Sequence, residues 1–306
     1  MTSDKRRHTI RRRRGTSLQL RMIRLKFSVL QIVWPALAAR KALDLWFLTR
    51  RFTPPAREQR WSNDAKTQFI NTSVGKLQIY HWQEESHSDR PLILLVHGWN
   101  GRGLQLGAFV EPLVKSGFQV LCLDLPGHGN SEGNSSNVLR LSQALLDLQQ
   151  YIKTPYAIIA HSIGVTAAAL AINRGLHSQR FVAISAPLNA PWLIERYTSA
   201  IRLKPDTVKR LLTLIERQFG PDTLQRISTD YNLASLSLPS LIIHDRDDTD
   251  VPYLHAETLA KLLKGSQLFL TNKLGHRRIL YNQQVIARAV DFIASKQTPA
   301  KTANGN

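Results

Sequence analysis

The sequence predicts an α/β fold: a doubly wound, mostly parallel eight-stranded sheet with flanking helices and a small helical cap. Three observations predict it. Short apolar runs alternate with helical patterns across roughly residues 66–296. Most of those runs are apolar on both faces, as strands of a covered parallel sheet are. One run, Ile158-Ile159-Ala160, stops at His161-Ser162, and a small-residue helical segment starts at once.

The chain begins with a basic arm. Residues 1–60 hold 16 Lys and Arg against 3 Asp and Glu, whereas the remainder holds 25 against 19. The arm therefore carries most of the net charge of +19. Such a block favours polyanions, either nucleic acid or an anionic membrane surface. Residues 1–17, with Arg11-Arg12-Arg13-Arg14, have almost no apolar content and are expected to be disordered when free. Leu18 to Phe52 reads as helix. Its apolar run, Phe27 to Ala39, is too short to span a bilayer, which takes about 20 residues. The run has features of a signal or transit peptide, but Pro35 interrupts it and the basic region is long. The reading adopted is an amphipathic helix packed on the body or lying on a membrane surface. Thr53-Pro54-Pro55 reads as a linker. The expected organisation is arm and linker at 1–60, the α/β domain at 61–298 and a disordered tail at 299–306.

The body follows in order. Gln68–Thr72 and Lys76–Trp82 flank Val74-Gly75 and read as a hairpin. Leu92–Val96, Gln119–Leu123, Ala157–Ala160, Phe181–Ile184, Leu241–Ile243 and Gln267–Leu270 read as further strands. Helices are expected near 104–115, 138–152, 163–174, 252–263 and 282–296. Residues 188–237 break the rhythm: they hold no convincing strand and one helical segment, Thr207–Gln218. A cap over a site is expected there. The single cysteine, Cys122, sits in an apolar run and excludes an intrachain disulfide.

A serine on a sharp strand-to-helix turn has its hydroxyl pushed out of the fold beside the N–H groups of a helix start. Ser162 stands there. The hydroxyl needs a base, and His276 follows the last strand. The imidazole needs an acid, and the loop after Leu241–Ile243 offers Asp245, Asp247, Asp248 and Asp250. An oxyanion needs backbone N–H donors: Ile163 directly after the serine, and the loop His97-Gly98-Trp99-Asn100-Gly101-Arg102-Gly103.

His97-Gly98-Trp99, Asp124-Leu-Pro-Gly127-His128-Gly-Asn-Ser131, Ala160-His-Ser162-Ile-Gly164, Asp248-x-x-Val251-Pro252 and Gly275-His276 together resemble the α/β-hydrolase superfamily. The resemblance is to its bacterial serine-hydrolase branch of esterases and lysophospholipase-like enzymes, and covers about residues 66–296. It implies Ser162 as nucleophile, Asp248 as acid, His276 as base, and the amides of Trp99 and Ile163 as an oxyanion hole. Asp245 is the alternative acid. One residue departs from the usual Gly-x-Ser-x-Gly pattern: Ala160 stands at the first glycine, where a modest local adjustment is expected.

Each motif has a plainer reading. A serine before a helix is commonly an N-cap. His161 is read as a packing or hydrogen-bonding neighbour, His97 and His128 as loop-ordering residues. His244 beside the Asp cluster suggests a metal, but no second histidine lies at ligand spacing, so no metal and no cofactor are assigned. Arg277-Arg278 reads as a solvated or loop-anchoring pair. The function expected is hydrolysis of a lipid-like or small acyl ester. The alternatives are a catalytically retired binding module and a membrane-docked protein whose arm at residues 1–51 carries the main role. No nucleic-acid motif is visible. The expected location is cytoplasmic, with peripheral membrane association through the arm left open, and the oligomeric state is not legible.

Overall fold

The computed structural model describes residues 18–82 and 89–295. The expectations for residues 1–17 and 299–306 lie outside the described residues. All eight expected strands form: β1 Lys66–Thr72, β2 Gly75–Trp82, β3 Leu92–Val96, β4 Gln119–Leu123, β5 Pro155–His161, β6 Arg180–Ile184, β7 Ser240–Asp245 and β8 Gln267–Thr271. They make one sheet in the order β1-β2-β4-β3-β5-β6-β7-β8. β1 pairs antiparallel with β2, and β2 antiparallel with β4. The remaining pairs are parallel. The parallel strands are apolar on both faces because both faces are covered. Leu94 and Leu121 enter one core with helices α5 (Val138–Leu148) and α6 (Ile163–Asn173). Their neighbours Ile93 and Val120 enter the other, with α4 (Val110–Lys115) and α13 (Gln283–Ala294). Asparagine caps start several helices: Asn137 accepts from the Arg140 N–H and Asn282 from the Val285 N–H.

The arm departs from the expected continuous helix over Leu18–Phe52. It forms α1 (Leu18–Val33) and α2 (Pro35–Phe47), separated at Trp34. Proline lacks an N–H and pushes its predecessor out of helical geometry, and Trp34 sits at φ −138°, ψ 75°. Beyond Phe47 the chain leaves the helix and is strapped to the body. Leu48 bridges to Ser135, the Thr49 hydroxyl donates to the Gly127 carbonyl, and the Arg51 guanidinium donates to the carbonyls of Gly129, Ser131 and Gly133. After the exposed Thr53-Pro54 comes a helix the sequence did not suggest, α3 (Ala56–Asn63). Its Glu58 makes a buried bidentate ion pair with Arg102, at 2.5 and 2.9 Å. Its Trp61 lies so close to Gly107 that a Cβ there would meet the indole at 2.3 Å.

Between β6 and β7 the chain forms four helices where one was expected: α7 (Ala190–Ile201), α8 (Pro205–Phe219), α9 (Thr223–Arg226) and α10 (Thr229–Leu233). α9 and α10 are too short to show an apolar period. α7 and α8 share a third hydrophobic cluster with the arm, joining Phe27, Ala39 and Leu43 to Ile194, Leu211 and Ile215. Polar ties reinforce it. Arg24 donates to the Ala200 carbonyl, Gln31 bridges the backbone of Arg202 and Lys204, and the Tyr197 hydroxyl donates to the Ala42 carbonyl.

Candidate active site

The C-terminal ends of β3, β5, β7 and β8 meet along one edge of the sheet, where ligands of open α/β sheets bind. β5 ends at His161, α6 starts at Ile163, and Ser162 between them sits at φ 55°, ψ −127°. Such backbone is strained for a non-glycine residue and persists only where its surroundings hold it. The Ser162 N–H is held by the Ile184 carbonyl at 2.8 Å. Gly164 lets the helix cross β3: a Cβ there would lie 2.4 Å from the His97 carbonyl oxygen. Ala160 is buried in the sheet opposite Val96 and Ala183. The turn at Ser162 forms with this methyl in place.

His276 lies on a single helical turn, α12 (Gly275–Arg278), after β8. Its Nε2 is 3.0 Å from Ser162 Oγ, and its Nδ1 is 2.7 Å from Asp248 Oδ2. The structure thus brings together three residues widely separated in sequence. An Nδ1–H donated to the carboxylate leaves Nε2 as acceptor for the serine hydroxyl. Asp248 is itself enclosed. Its Oδ1 accepts from the N–H groups of Asp250 and Val251, and His244 Nε2 approaches its Oδ2 at 3.3 Å. Burial alone would raise its pKa. The hydrogen bonds from His244, His276 and Val251 outweigh burial and hold the carboxyl well below the usual range.

The four aspartates of this loop do different things. Asp245 accepts from Asp247 and Gly275 N–H at one oxygen and from the Thr271 hydroxyl and Leu274 N–H at the other. Asp247 accepts from the Lys273 N–H. Both fasten the loop that carries His276, and Asp245 has no oxygen turned to the imidazole. Asp250 lends its backbone N–H to Asp248. Arg278 anchors the same loop through the carbonyls of Leu274 and Lys273.

The loop after β3 reaches the serine from the other side. A Cβ at Gly98 would meet Ser162 Cβ at 2.9 Å. The Gly98 carbonyl accepts from the Gly101 N–H at 3.0 Å and from His97 Nδ1 at 2.7 Å. In a trans peptide the Trp99 N–H then points away from both donors. His97 Nε2 accepts from the Leu125 N–H, so its ring joins this loop to the one after β4. Burial pushes the His97 pKa down to about 4, and burial with the neighbouring His97 takes His128 to about 3. Both rings order loops in the neutral form. Their neighbour Asp124 accepts from the N–H groups of Gly103 and Asn130 and from the Tyr80 hydroxyl. His161 donates its Nε2–H to the His276 carbonyl at 2.9 Å. Burial, then the nearby His276, depresses its pKa well below the ordinary value. Cys122 is buried, and burial raises its thiol pKa.

Ser162, Ile163 and Trp99 open onto a cavity of about 510 Å³, a size ordinary for small-molecule sites. The cap supplies Leu193, Ile215 and Phe219. The arm supplies Leu20, Ile23 and Trp46. The sequence pointed to the cap for these walls; the arm's share was missed. Its one signal is that α1 is apolar on two opposite stripes.

A family model described as "Serine aminopeptidase, S33" matches residues 87–237. The chain is 28% identical over 204 residues to "Lysophosphatidylserine lipase ABHD12" of Danio rerio, covering 61% of this chain and 51% of that protein. It therefore spans about half the length of that relative. It is 25% identical to "Pimeloyl-[acyl-carrier protein] methyl ester esterase" of Vibrio campbellii, covering 70% and 98%. Among solved structures, the Pyrococcus furiosus esterase Pf2001 superposes with a TM-score of 0.62 at 19% identity, covering 81% and 97%, a likeness of fold.

Proposed function

We propose that this chain, which belongs to the α/β-hydrolase superfamily, is a serine hydrolase that cleaves a carboxylic ester through an acyl-enzyme. One observation carries the reading: Ser162 Oγ, the His276 imidazole and the Asp248 carboxylate form one hydrogen-bonded line, at 3.0 and 2.7 Å. In this reading the Ser162 oxygen attacks the ester carbonyl carbon while its proton passes to His276 Nε2. The carbonyl oxygen takes the negative charge and rests on the N–H groups of Trp99 and Ile163. An oxyanion donor of this kind is worth about 3–4 kcal/mol. Collapse expels the alcohol, which takes the proton back from His276. Water then attacks the acyl-serine, His276 again moves the proton, and the acid and free Ser162 result. Asp248 holds the imidazole in the required tautomer and balances its charge.

The cavity favours an acyl ester over a peptide with a free amino terminus. An ammonium group calls for a carboxylate partner, and the cavity has neither Asp nor Glu among its described lining residues. The relatives whose names state an ester or lipid substrate support the same class. The test is labelling with a fluorophosphonate, together with hydrolysis of p-nitrophenyl esters of increasing chain length. Labelling and turnover that vanish in Ser162→Ala are expected. A folded wild-type chain that neither labels nor turns over any ester would sink the proposal.

A further inference from the structure

The arm has two apolar faces, and only one of them is packed. On α1 the inner face turns Leu20, Ile23 and Phe27 toward the cap. The outer face carries Leu18, Met22, Leu25, Val29 and Ile32, which recur three and four residues apart and are 58–74% exposed. Further along the chain Trp34, between the two helices, and Leu37 on α2 are also exposed, at 62% and 43%. Exposed apolar residues scattered singly need no explanation, but a continuous stripe of this length does. At 100° per residue, Arg21 and Lys26 fall at the two edges of the stripe. Arg40 and Lys41 are exposed on α2, both beside the exposed Asp44, which leaves a net positive charge there.

We infer that this outer face docks on an anionic lipid bilayer and that the arm serves at once as membrane anchor and pocket wall. The ester substrate is then an acyl lipid resident in that bilayer, a substrate class that rests on the hydrolase reading above. Charge decides the occupant. A stripe flanked by basic residues, in a region with 16 Lys and Arg against 3 Asp and Glu, matches an anionic headgroup layer. Pairing the same face with a second copy would bring like charges together. No described helix is long and apolar enough to cross a membrane, so the contact is one of lying on the surface.

The cavity completes the inference. Leu20 and Ile23, on the inner face of the same helix, line the space that opens at Ser162. The pocket therefore lies one helix thickness, about 10 Å, beneath the proposed lipid face. An acyl chain leaving the bilayer would lie between arm and cap, with its ester at Ser162.

The experiment uses the full chain. Phosphatidylcholine vesicles with and without phosphatidylglycerol are sedimented with wild type and with the triple variant Leu25→Glu, Val29→Glu, Ile32→Glu, none of which lines the cavity. Turnover of a long-chain acylglycerol in those vesicles is measured beside turnover of p-nitrophenyl butyrate. Wild type is expected to bind the anionic vesicles and to release at high salt. The triple variant is expected to lose at least tenfold in binding and in the ratio of vesicle to soluble turnover. Lys26→Glu, Arg40→Glu, a milder change, should lose the preference for anionic vesicles. Ile23→Trp, on the inner face, should shift the chain-length preference to shorter acyl groups. Equal vesicle binding by wild type and triple variant, with the soluble ester still cleaved, overturns the docking face. A wild-type dimer that the triple variant abolishes, without vesicle binding, gives the face to a second copy and overturns it too. Vesicle binding with no hydrolysis of any ester overturns the substrate class through the hydrolase reading alone.

Discussion

His161 Nε2 lies 2.9 Å from the carbonyl oxygen of His276, with the two rings 4.8 Å apart. The residue preceding the nucleophile candidate thus holds the backbone of the base candidate, across 115 positions of sequence. In His161→Phe the ring volume stays but the donor is lost, and the His276 turn is free to shift. Small misplacements of reacting groups can cost up to about 100-fold. The expected outcome is a fall in kcat of about 10–100-fold with KM little changed. His161→Gln, which keeps a donor, should recover part of it. Steady-state kinetics of both variants check this; a His161→Phe enzyme with wild-type kcat would refute it.

Asp248 and Asp245 should separate cleanly. Asp248→Asn puts an amide donor against His276 Nδ1 and favours the wrong tautomer. In the serine-protease case that serves as the general template, the corresponding change costs about 10⁴ in kcat. A comparable loss is expected here, with the chain still folded. Asp245→Asn instead disturbs four accepted hydrogen bonds, three of which fasten the 271–275 loop and one its own turn at Asp247. Its expected mark is a stability loss of about 2–3 kcal/mol, and a smaller loss of kcat. Thermal unfolding and kinetics on the pair decide between the two roles.

Ala160 and Gly164 flank the same serine but differ in tolerance. Gly164→Ala would drive a methyl to 2.4 Å from the His97 carbonyl oxygen, so the helix or β3 must move. It is expected to abolish labelling of Ser162 or to unfold the chain. Ala160→Gly restores the usual motif yet adds backbone freedom to a strand, at a cost of about 0.5–1 kcal/mol. A slightly lower melting temperature and kcat within about threefold of wild type are expected. A large gain in kcat would show that the methyl at Ala160 strains the site.

Stability should fall on mild acidification. His97, His128 and His161 are buried, with pKa values pushed to about 4, to about 3 and well below the ordinary value. Unfolded, each would titrate near 6.5. Below that pH the unfolded chain binds protons that the folded chain refuses, so falling pH favours unfolding. Each such imidazole costs up to about 1.4 kcal/mol per pH unit between 6.5 and its folded value. Asp248, held low in the fold, adds the carboxylate sign: its stabilisation is present above about 4 and is lost as pH falls through its folded value. Denaturant midpoints measured from pH 7.5 to 4.5 should drop steadily below about 6.5. A flat profile over that range would contradict the burial of these rings.

The strands were legible because burial on both faces leaves a compositional mark. Leu92–Val96 and Gln119–Leu123 have no competing pattern, and the structure returns the same bounds. α9 and α10 were not legible, since four or five residues show no helical period. The order serine, acid, histidine was readable from the residues, with Asp248 implied as the acid by the family resemblance and Asp245 as the alternative. The division of labour between Asp245 and Asp248 was not: both are acids in one loop, and only their hydrogen-bond partners distinguish them. Nor does the sequence show that the His244 imidazole faces the same carboxylate oxygen as His276.

The sequence by itself determined the strand–helix alternation, the strained position of Ser162 and the basic, apolar character of the arm. These depend on local period, residue size and charge, which neighbours in the chain display. Only the tertiary structure decided that α1 and α2 pack on the cap and wall the cavity at Ser162, leaving one apolar stripe outward. Contacts such as Gln31 with Lys204 or Tyr197 with Ala42 join residues more than 150 positions apart. Whether an apolar face meets a protein core or remains uncovered depends on what the rest of the chain brings to it, and no local pattern carries that information.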